Sequence, residues 1–220
     1  MKINRHGQAK VLTQPELELL FSLGLTMLRD RVLFGVCLYT ACRINEAVTL
    51  NTADVFNSSG LVRSHLVIRK ANTKGKLDTR TIPIGDDLRQ LLLAYMKSAG
   101  ETYLFPGRWG KGHIHPDSAA AILLAACQRL DIEGVSTHSF RRTALTTMSN
   151  AGIPLRVVQK ISGHRSLSQL QEYLEVQPDQ VVGAIASLSM LSVSYTGKPI
   201  YPDIVPTELG DLERHQNPSH

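Results

Sequence analysis

The sequence predicts an α+β fold that is mostly helical and contains one small antiparallel β-sheet. Helical periodicity runs through most of the chain, whereas residues 61–84 have the alternating, β-branched composition of strands. With 220 residues, 43% of them hydrophobic, the chain can bury a substantial core. We assign residues 10–191 to one domain, 1–9 to an N-terminal extension, and 192–220 to a flexible tail rich in Pro, Gly and charge.

Composition narrows the class of protein only slightly. The net charge of +5 leans toward a polyanionic partner, although many basic proteins bind nothing acidic. Three cysteines without a CxxC pair favour a reducing compartment over a disulfide scaffold. The sequence shows no secretory signal and no apolar run long enough to span a membrane. We therefore expect a soluble, cytoplasmic protein.

Helices come first along the chain. Residues 13–16, Thr-Gln-Pro-Glu, form a capping box with proline in the first turn, which predicts a helix to about Gly24. The apolar segment 27–42 predicts a buried helix that bends at Arg43 and continues through 44–48. The whole stretch 14–56 is thus expected to be helical.

A β-hairpin is predicted next. Residues 61–69 and 79–84 have strand composition, and the polar segment 72–78 forms the turn between them. A third short strand before the hairpin also fits the pattern.

The remainder is predicted to be helical. Asp86 caps a helix to about Met96, and His138 begins a helix that ends at Gly152. A helix capped by Ser166 or Ser168 is expected to carry Tyr173. The other predicted helices are 116–130, 154–162 and an amphipathic one at 181–191.

Several cations stand where an anion could bind. Arg43 ends a buried helix, where a guanidinium needs an anionic partner or solvent, and Glu46 follows three residues later. Lys74 and Lys76 lie in the hairpin turn, where most lysines are simply solvated. Taken singly, each of these residues is better explained by an ordinary structural role.

The combination with later residues is more informative. His138 and Arg141 are one helical turn apart, His164 follows a glycine in a loop, and Tyr173 lies nine residues beyond. Arginine forks match phosphate oxygens bidentately, and a phenol beside cations or a base can act as a nucleophile. Histidine can serve as that base or as a hydrogen-bond donor. Together these groups suffice to attack a phosphodiester without a metal.

In combination the motifs resemble the tyrosine recombinases of the phage integrase family. The resemblance covers residues 10–190. It rests on Arg43 with Glu46, the hairpin lysine, His138-Ser139-Phe140-Arg141-Arg142-Thr143, Gly163-His164 and Tyr173, in that order. Because little precedes residue 10, we expect the catalytic domain alone, similar to the short fimbrial phase-switch recombinases.

The resemblance implies site-specific recombination through a 3′-phosphotyrosyl intermediate and a Holliday junction. Tyr173 would be the nucleophile, while Arg43 and Arg141 would clamp the non-bridging oxygens of the scissile phosphate. Lys74 would protonate the leaving 5′-oxygen. No metal or other cofactor is implied, because the bond energy is conserved in the protein–DNA link.

Further roles follow from the same resemblance. His138 would help to move the tyrosine proton, His164 would hydrogen-bond the phosphate, and Glu46 would orient Arg43. The hairpin is one residue longer than usual, which leaves Lys76 as the alternative to Lys74 or as a DNA contact. DNA contacts are also expected from Arg142, whose alternative role is structural, and from Arg165.

The implied partner is double-stranded DNA, with no membrane involved. The 181–191 helix either packs on its own domain or, as the resemblance implies, docks on a neighbouring protomer in a homotetramer on DNA. The resemblance leaves accessory factors open, and it further implies that a bacterium, a phage or a mobile element encodes the chain. Two other functions stay open: a DNA-binding regulatory module that does not recombine, and a type IB topoisomerase-like enzyme that relaxes supercoils. The loop pair His113 and His115 is too sparse for a metal site.

Overall fold

The computed structural model describes residues 8–72, 78–174 and 178–186. The α+β class and the predominance of helix are confirmed. The strands are β1 (His65–Ile68) and β2 (Arg80–Pro83). The helices are α1 (Gln14–Leu19), α2 (Leu28–Thr40), α3 (Ile44–Val48), α4 (Asp86–Tyr95), α5 (Pro116–Arg129), α6 (Thr137–Asn150), α7 (Leu155–Ser162), α8 (Leu167–Gln171) and α9 (Pro178–Ala186).

The chain divides into two units, residues 1–175 and 176–220, and α9 is the described part of the second. Within the described residues, no helix is both long and apolar enough to cross a membrane.

The first helix begins at the predicted capping box. The Thr13 hydroxyl accepts from the Glu16 amide, and the Glu16 carboxylate accepts from the Thr13 amide at 3.0 Å. The prediction of one regular helix to Gly24 is wrong in detail, because a π-helical turn occupies Leu20–Gly24.

Helix α2 forms the centre of the core and contacts both α4 and α6. It ends at Thr40, two residues before the predicted end, because Ala41 adopts the left-handed conformation with φ 50°. Phe140 of α6 is fully buried and stacks on Phe34 of α2 at a ring-centroid distance of 5.0 Å. This packing fixes the neighbouring Arg141 beside the end of α2.

The two predicted strands are present and paired, although β1 spans His65–Ile68 and not the predicted 61–69. Strand β1 pairs with β2 in antiparallel register, from His65 opposite Pro83 to Ile68 opposite Arg80. In place of the third strand, the described residues form an isolated bridge between Phe56 and Val62. Residues 73–77 of the predicted turn, which include Lys74 and Lys76, lie outside the described residues.

Helix boundaries near the candidate site differ from the predictions. Helix α6 starts at Thr137 after the N-cap Ser136, and not at His138. Helix α8, capped by Ser166, ends at Gln171, so Tyr173 lies in the turn that follows. The α-helical bonding pattern ends there, because the Tyr173 amide bonds to the carbonyl of Leu170, three residues back and not four, at 3.0 Å.

Helix α9 begins at Pro178, three residues before its predicted start, because proline is tolerated in a first helical turn. Residues 187–191 of the predicted helix and the predicted tail, 192–220, lie outside the described residues.

Candidate active site

The bend between α2 and α3 positions Arg43. Its backbone amide donates to Glu46 Oε2 at 2.8 Å, and its Nη1 lies 3.4 Å from Glu46 Oε1. The Glu46 side chain is 1% exposed, whereas that of Arg43 is 22% exposed. One end of Arg43 is therefore held by a buried carboxylate, while its guanidinium still reaches the surface.

Arg141 is buried directly beside this bend. Its side chain is among the largest fully buried ones, at 1% exposure. Burial, followed by the positive charge of Arg43, lowers the pKa of Arg141 to about 10, which still leaves it cationic at neutral pH. Among the described residues no carboxylate lies within ion-pairing distance of it. A buried cation without a neighbouring carboxylate is stabilised when an anion binds next to it.

His164 faces Arg141 from the loop after α7. Its Nε2 lies 3.0 Å from Arg141 Nη2, and its Nδ1 lies 2.8 Å from Ser162 Oγ. A guanidinium can only donate, so Nε2 accepts from Arg141 and the Nδ1–H donates to the Ser162 hydroxyl. Burial, followed by the charges of Arg141 and Arg43, lowers the pKa of His164 to about 3, so the ring is neutral.

Tyr173 lies against His164. The two ring centroids are 5.1 Å apart with an interplanar angle of 48°. The tyrosine packs against a small buried cluster formed by Ala41, Leu145, Val158 and Leu170. Tyr173 is half-buried, and the histidine beside it is the one that accepts from Arg141.

The remaining predicted site residues that the structure describes are His138, Arg142 and Arg165. His138 is exposed, one turn before Arg141 on α6. Arg165 is exposed and lines a groove. Arg142 is 5% exposed, and its Nη1 donates to the Ala9 carbonyl at 2.9 Å, which favours the structural one of its two proposed roles.

The structure adds a residue that the sequence analysis missed. Arg80 of β2 is buried, with its Nη2 2.9 Å from Glu46 Oε2 and its Nη1 3.0 Å from the Ser162 carbonyl. A signal was available, because Arg80 and Ile82 alternate onto the same, buried face of the strand. An arginine on the inward face of a strand needs a buried partner.

We call the set Arg43, Glu46, Arg80, Arg141, His164 and Tyr173 the arginine cage. It contains three guanidiniums and one carboxylate. This excess of positive charge suits a phosphate group, whose oxygens match the forks of arginine.

A groove of about 1340 Å³ runs between β2 and α7 and reaches the cage at Arg80 and His164. Its other charged lining residues are mostly basic: Arg156, Lys160 and Arg165, with Asp78 as the acidic one. A basic groove that ends at a cluster of arginines is the electrostatic pattern expected for a nucleic-acid backbone.

The described residues contain no cluster of three or more His, Cys, Asp or Glu side chains that could hold a metal ion. Of the loop histidines, His115 is the N-cap of α5, where its Nδ1 accepts from the Asp117 amide at 3.2 Å. His113 bonds the Ile114 carbonyl through Nδ1 at 2.9 Å.

Comparison with known sequences gives consistent matches. The phage integrase family model matches residues 10–180. The chain is 30% identical over 167 residues to the tyrosine recombinase XerD of Yersinia pestis, covering 70% of this chain and 52% of that protein. It is 29% identical over 188 residues to XerC of Bacillus subtilis, with 78% and 59% coverage. Across the first curated relatives, the chain spans between 51% and 63% of their length.

Solved structures show the same fold. The XerH recombinase bound to its difH substrate has a TM-score of 0.62 at 20% identity, covering 84% of this chain and 55% of that chain. The Tn1549 transposon integrase in complex with transposon right end DNA has a TM-score of 0.67 at 17% identity, with 83% and 67% coverage.

Proposed function

The chain belongs to the phage integrase family, and from this membership we propose that it cuts and rejoins double-stranded DNA at specific sites through Tyr173. The observation that carries the proposal is the arginine cage, in which the Tyr173 ring lies 5.1 Å from a histidine that is bonded to buried Arg141. The recombinase names of its sequence relatives support the same function.

The cage would bind the scissile phosphate by charge. Arg43 and Arg141 each offer guanidinium N–H donors. Both side chains are cations at neutral pH, so they can bind a phosphate without a change of protonation. In the transition state the two non-bridging oxygens gain negative charge, which preorganised donors in a buried site stabilise strongly. Glu46 keeps Arg43 in place because its carboxylate bonds both the backbone amide and the guanidinium of that residue.

The proposed cleavage step forms one bond and breaks one. Tyr173 Oη attacks the phosphorus and gives up its proton, with His138 assisting, while the bond from phosphorus to the 5′-oxygen breaks. The DNA then carries a 3′-phosphotyrosyl link, and Lys74 (or Lys76) supplies the proton to the leaving 5′-oxygen. Rejoining reverses these events on a new strand by way of a Holliday junction. The phosphotyrosyl link conserves the bond energy, so the proposed reaction consumes no cofactor.

His164 would act as a hydrogen-bond donor to the phosphate after a change of tautomer. In the structure its Nδ1–H donates to Ser162 Oγ, which leaves Nε2 as an acceptor. The tautomer changes when Nδ1 releases its proton to solvent and Nε2 takes one up from solvent. A hydroxyl can either donate or accept, so the Ser162 hydroxyl can rotate and donate to the deprotonated Nδ1. A phosphate oxygen can then accept from both that Nε2–H and the Arg141 guanidinium.

The partners and the compartment are proposed on the same basis. Val181, Val182 and Ile185 of α9 are exposed, and we propose that 181–191 docks on a neighbouring protomer when a homotetramer forms on DNA. Accessory factors would act on that assembly. The cytoplasm is the proposed location because the DNA substrate is there.

A covalent-capture experiment tests the function. A library of nicked duplexes with randomised sequence releases a short fragment after cleavage, so the protein–DNA adduct cannot reverse. The wild type is expected to form an adduct enriched for discrete sequences. Binding without any adduct would favour the regulatory module, and adducts without sequence preference together with plasmid relaxation would favour the topoisomerase-like enzyme.

A further inference from the structure

Arg80 connects the two halves of the arginine cage. One half is Glu46 with Arg43 at the start of α3, and the other is the segment from Ser162 to His164 after α7. Arg80 Nη2 bonds Glu46 Oε2 at 2.9 Å, while Nη1 donates to the Ser162 carbonyl at 3.0 Å. A single buried guanidinium therefore fixes the distance between the proposed phosphate clamp and its histidine.

The contact with the second half is close as well as polar. A Cβ atom added to Gly163 would lie 1.8 Å from Arg80 Nη1, so the guanidinium rests directly on the glycine backbone. Gly163 also has φ 67°, a left-handed conformation that favours glycine. The loop that presents His164 is thus shaped around Arg80.

We propose that Arg80 is a positioning residue for strand cleavage, which holds Glu46 and the Ser162 carbonyl together so that Arg43 and His164 face the same phosphate. This inference rests on the proposed function. An arginine suits the task because its two Nη atoms reach two acceptors from one planar fork, whereas lysine has a single nitrogen. Arg80 also begins β2, a few residues after Lys74 and Lys76 in the sequence.

The rate of strand cleavage, measured apart from DNA affinity, tests whether Arg80 positions the cage or contributes to DNA binding. Single-turnover adduct formation by Arg80→Lys is measured at saturating DNA on the captured sequence, alongside DNA affinity and thermal unfolding. We expect the rate to fall at least about tenfold, with affinity changed less than about twofold, because the lost interaction acts in the transition state. The matched control is Arg69→Lys, since Arg69 pairs with buried Asp54 through Nε at 2.9 Å outside the cage. It should cleave at the wild-type rate.

A substrate with a neutral phosphate distinguishes positioning from a purely structural role. A structural defect would lower the cleavage rate equally on charged and neutral substrates. When a methyl group replaces one non-bridging oxygen, less charge develops for Arg43 to stabilise. If Arg80 acts through Arg43, the deficit of Arg80→Lys shrinks on this methylphosphonate substrate, and a Glu46→Gln background leaves little further deficit. An equal deficit on the charged and neutral substrates would overturn the inference.

Other outcomes are also decisive. A wild-type rate for Arg80→Lys overturns the positioning role but leaves the proposed function standing, because the wild type still forms adducts. Absence of wild-type adducts defeats the proposed function first. If Arg80→Lys loses cooperative unfolding, Arg80→Gln takes its place, and loss of folding in both variants would assign Arg80 to stability instead.

Discussion

Arg141 Nη1 donates to the backbone carbonyl of Ala41, the residue whose left-handed conformation ends α2. This bond ties the middle of α6 to the bend that precedes Arg43. The two arginines proposed to clamp a phosphate are therefore held by one local network, although 98 positions, 43 to 141, separate them in sequence.

Alanine at Gly163 should cost more than alanine at a glycine of similar backbone geometry. Gly163 and Gly152 have φ 67° and 73°, but an added Cβ meets Arg80 only at Gly163, while the space beside Gly152 is open. Gly152→Ala should cost roughly 1–2 kcal/mol of stability for the left-handed backbone alone. Gly163→Ala should cost more and also slow cleavage. Equal losses by urea unfolding and equal cleavage rates would contradict the contact with Arg80.

Stability should fall with acid partly because of His164. Its pKa in the folded protein is about 3, well below the ordinary value of 6.5, because burial and the charges of Arg141, Arg43 and Arg80 oppose protonation. The unfolded chain therefore takes up this proton more readily, so the contribution is complete above about pH 6.5 and is lost progressively down to about pH 3.

His164→Gln measures that contribution, because glutamine cannot titrate. Urea unfolding of both proteins between pH 7 and pH 4 should give a shallower pH dependence for the variant. Parallel curves would mean that His164 is equally protonated in the folded and unfolded states.

Two arginines that were predicted to contact DNA should differ in how they affect DNA affinity. Arg142 is buried and bonds the Ala9 carbonyl, whereas Arg165 is exposed in the basic groove. Arg165→Gln should reduce the slope of log affinity against log salt by about 0.9, the value for one phosphate contact. Arg142→Gln should lower the melting temperature and leave the slope unchanged. A reduced slope for Arg142→Gln would place its guanidinium on DNA.

Much of the architecture could be predicted because it depends on local signals. The capping box at Thr13, the alternation of β2 and the proline before α7 each act within a few residues. The π-helical turn after α1 and the early end of α8 could not be read this way. They depend on the packing of the turn residues, and neither has a sequence signature of its own.

The site shows the same division. The resemblance to the tyrosine recombinases, which rests on the order and spacing of the motifs, predicted Arg43, Arg141, His164 and Tyr173. The structure brings these residues together. The role of Arg80 depends on a strand meeting the end of α7, which pairs residues 82 positions apart. Local pattern indicates that Arg80 points inward, but only the tertiary fold shows what it bonds.

The most direct measurement is the identity of the residue that carries DNA after covalent capture. Protease digestion and mass spectrometry of the adduct should give one DNA-linked peptide, with the 3′-phosphate on Tyr173. Tyr173→Phe should give no adduct, whereas Tyr39→Phe, which removes an exposed tyrosine of α2 outside the cage, should react like the wild type. A DNA link on any other residue, or an adduct that persists in Tyr173→Phe, would contradict the assignment of Tyr173 as the nucleophile.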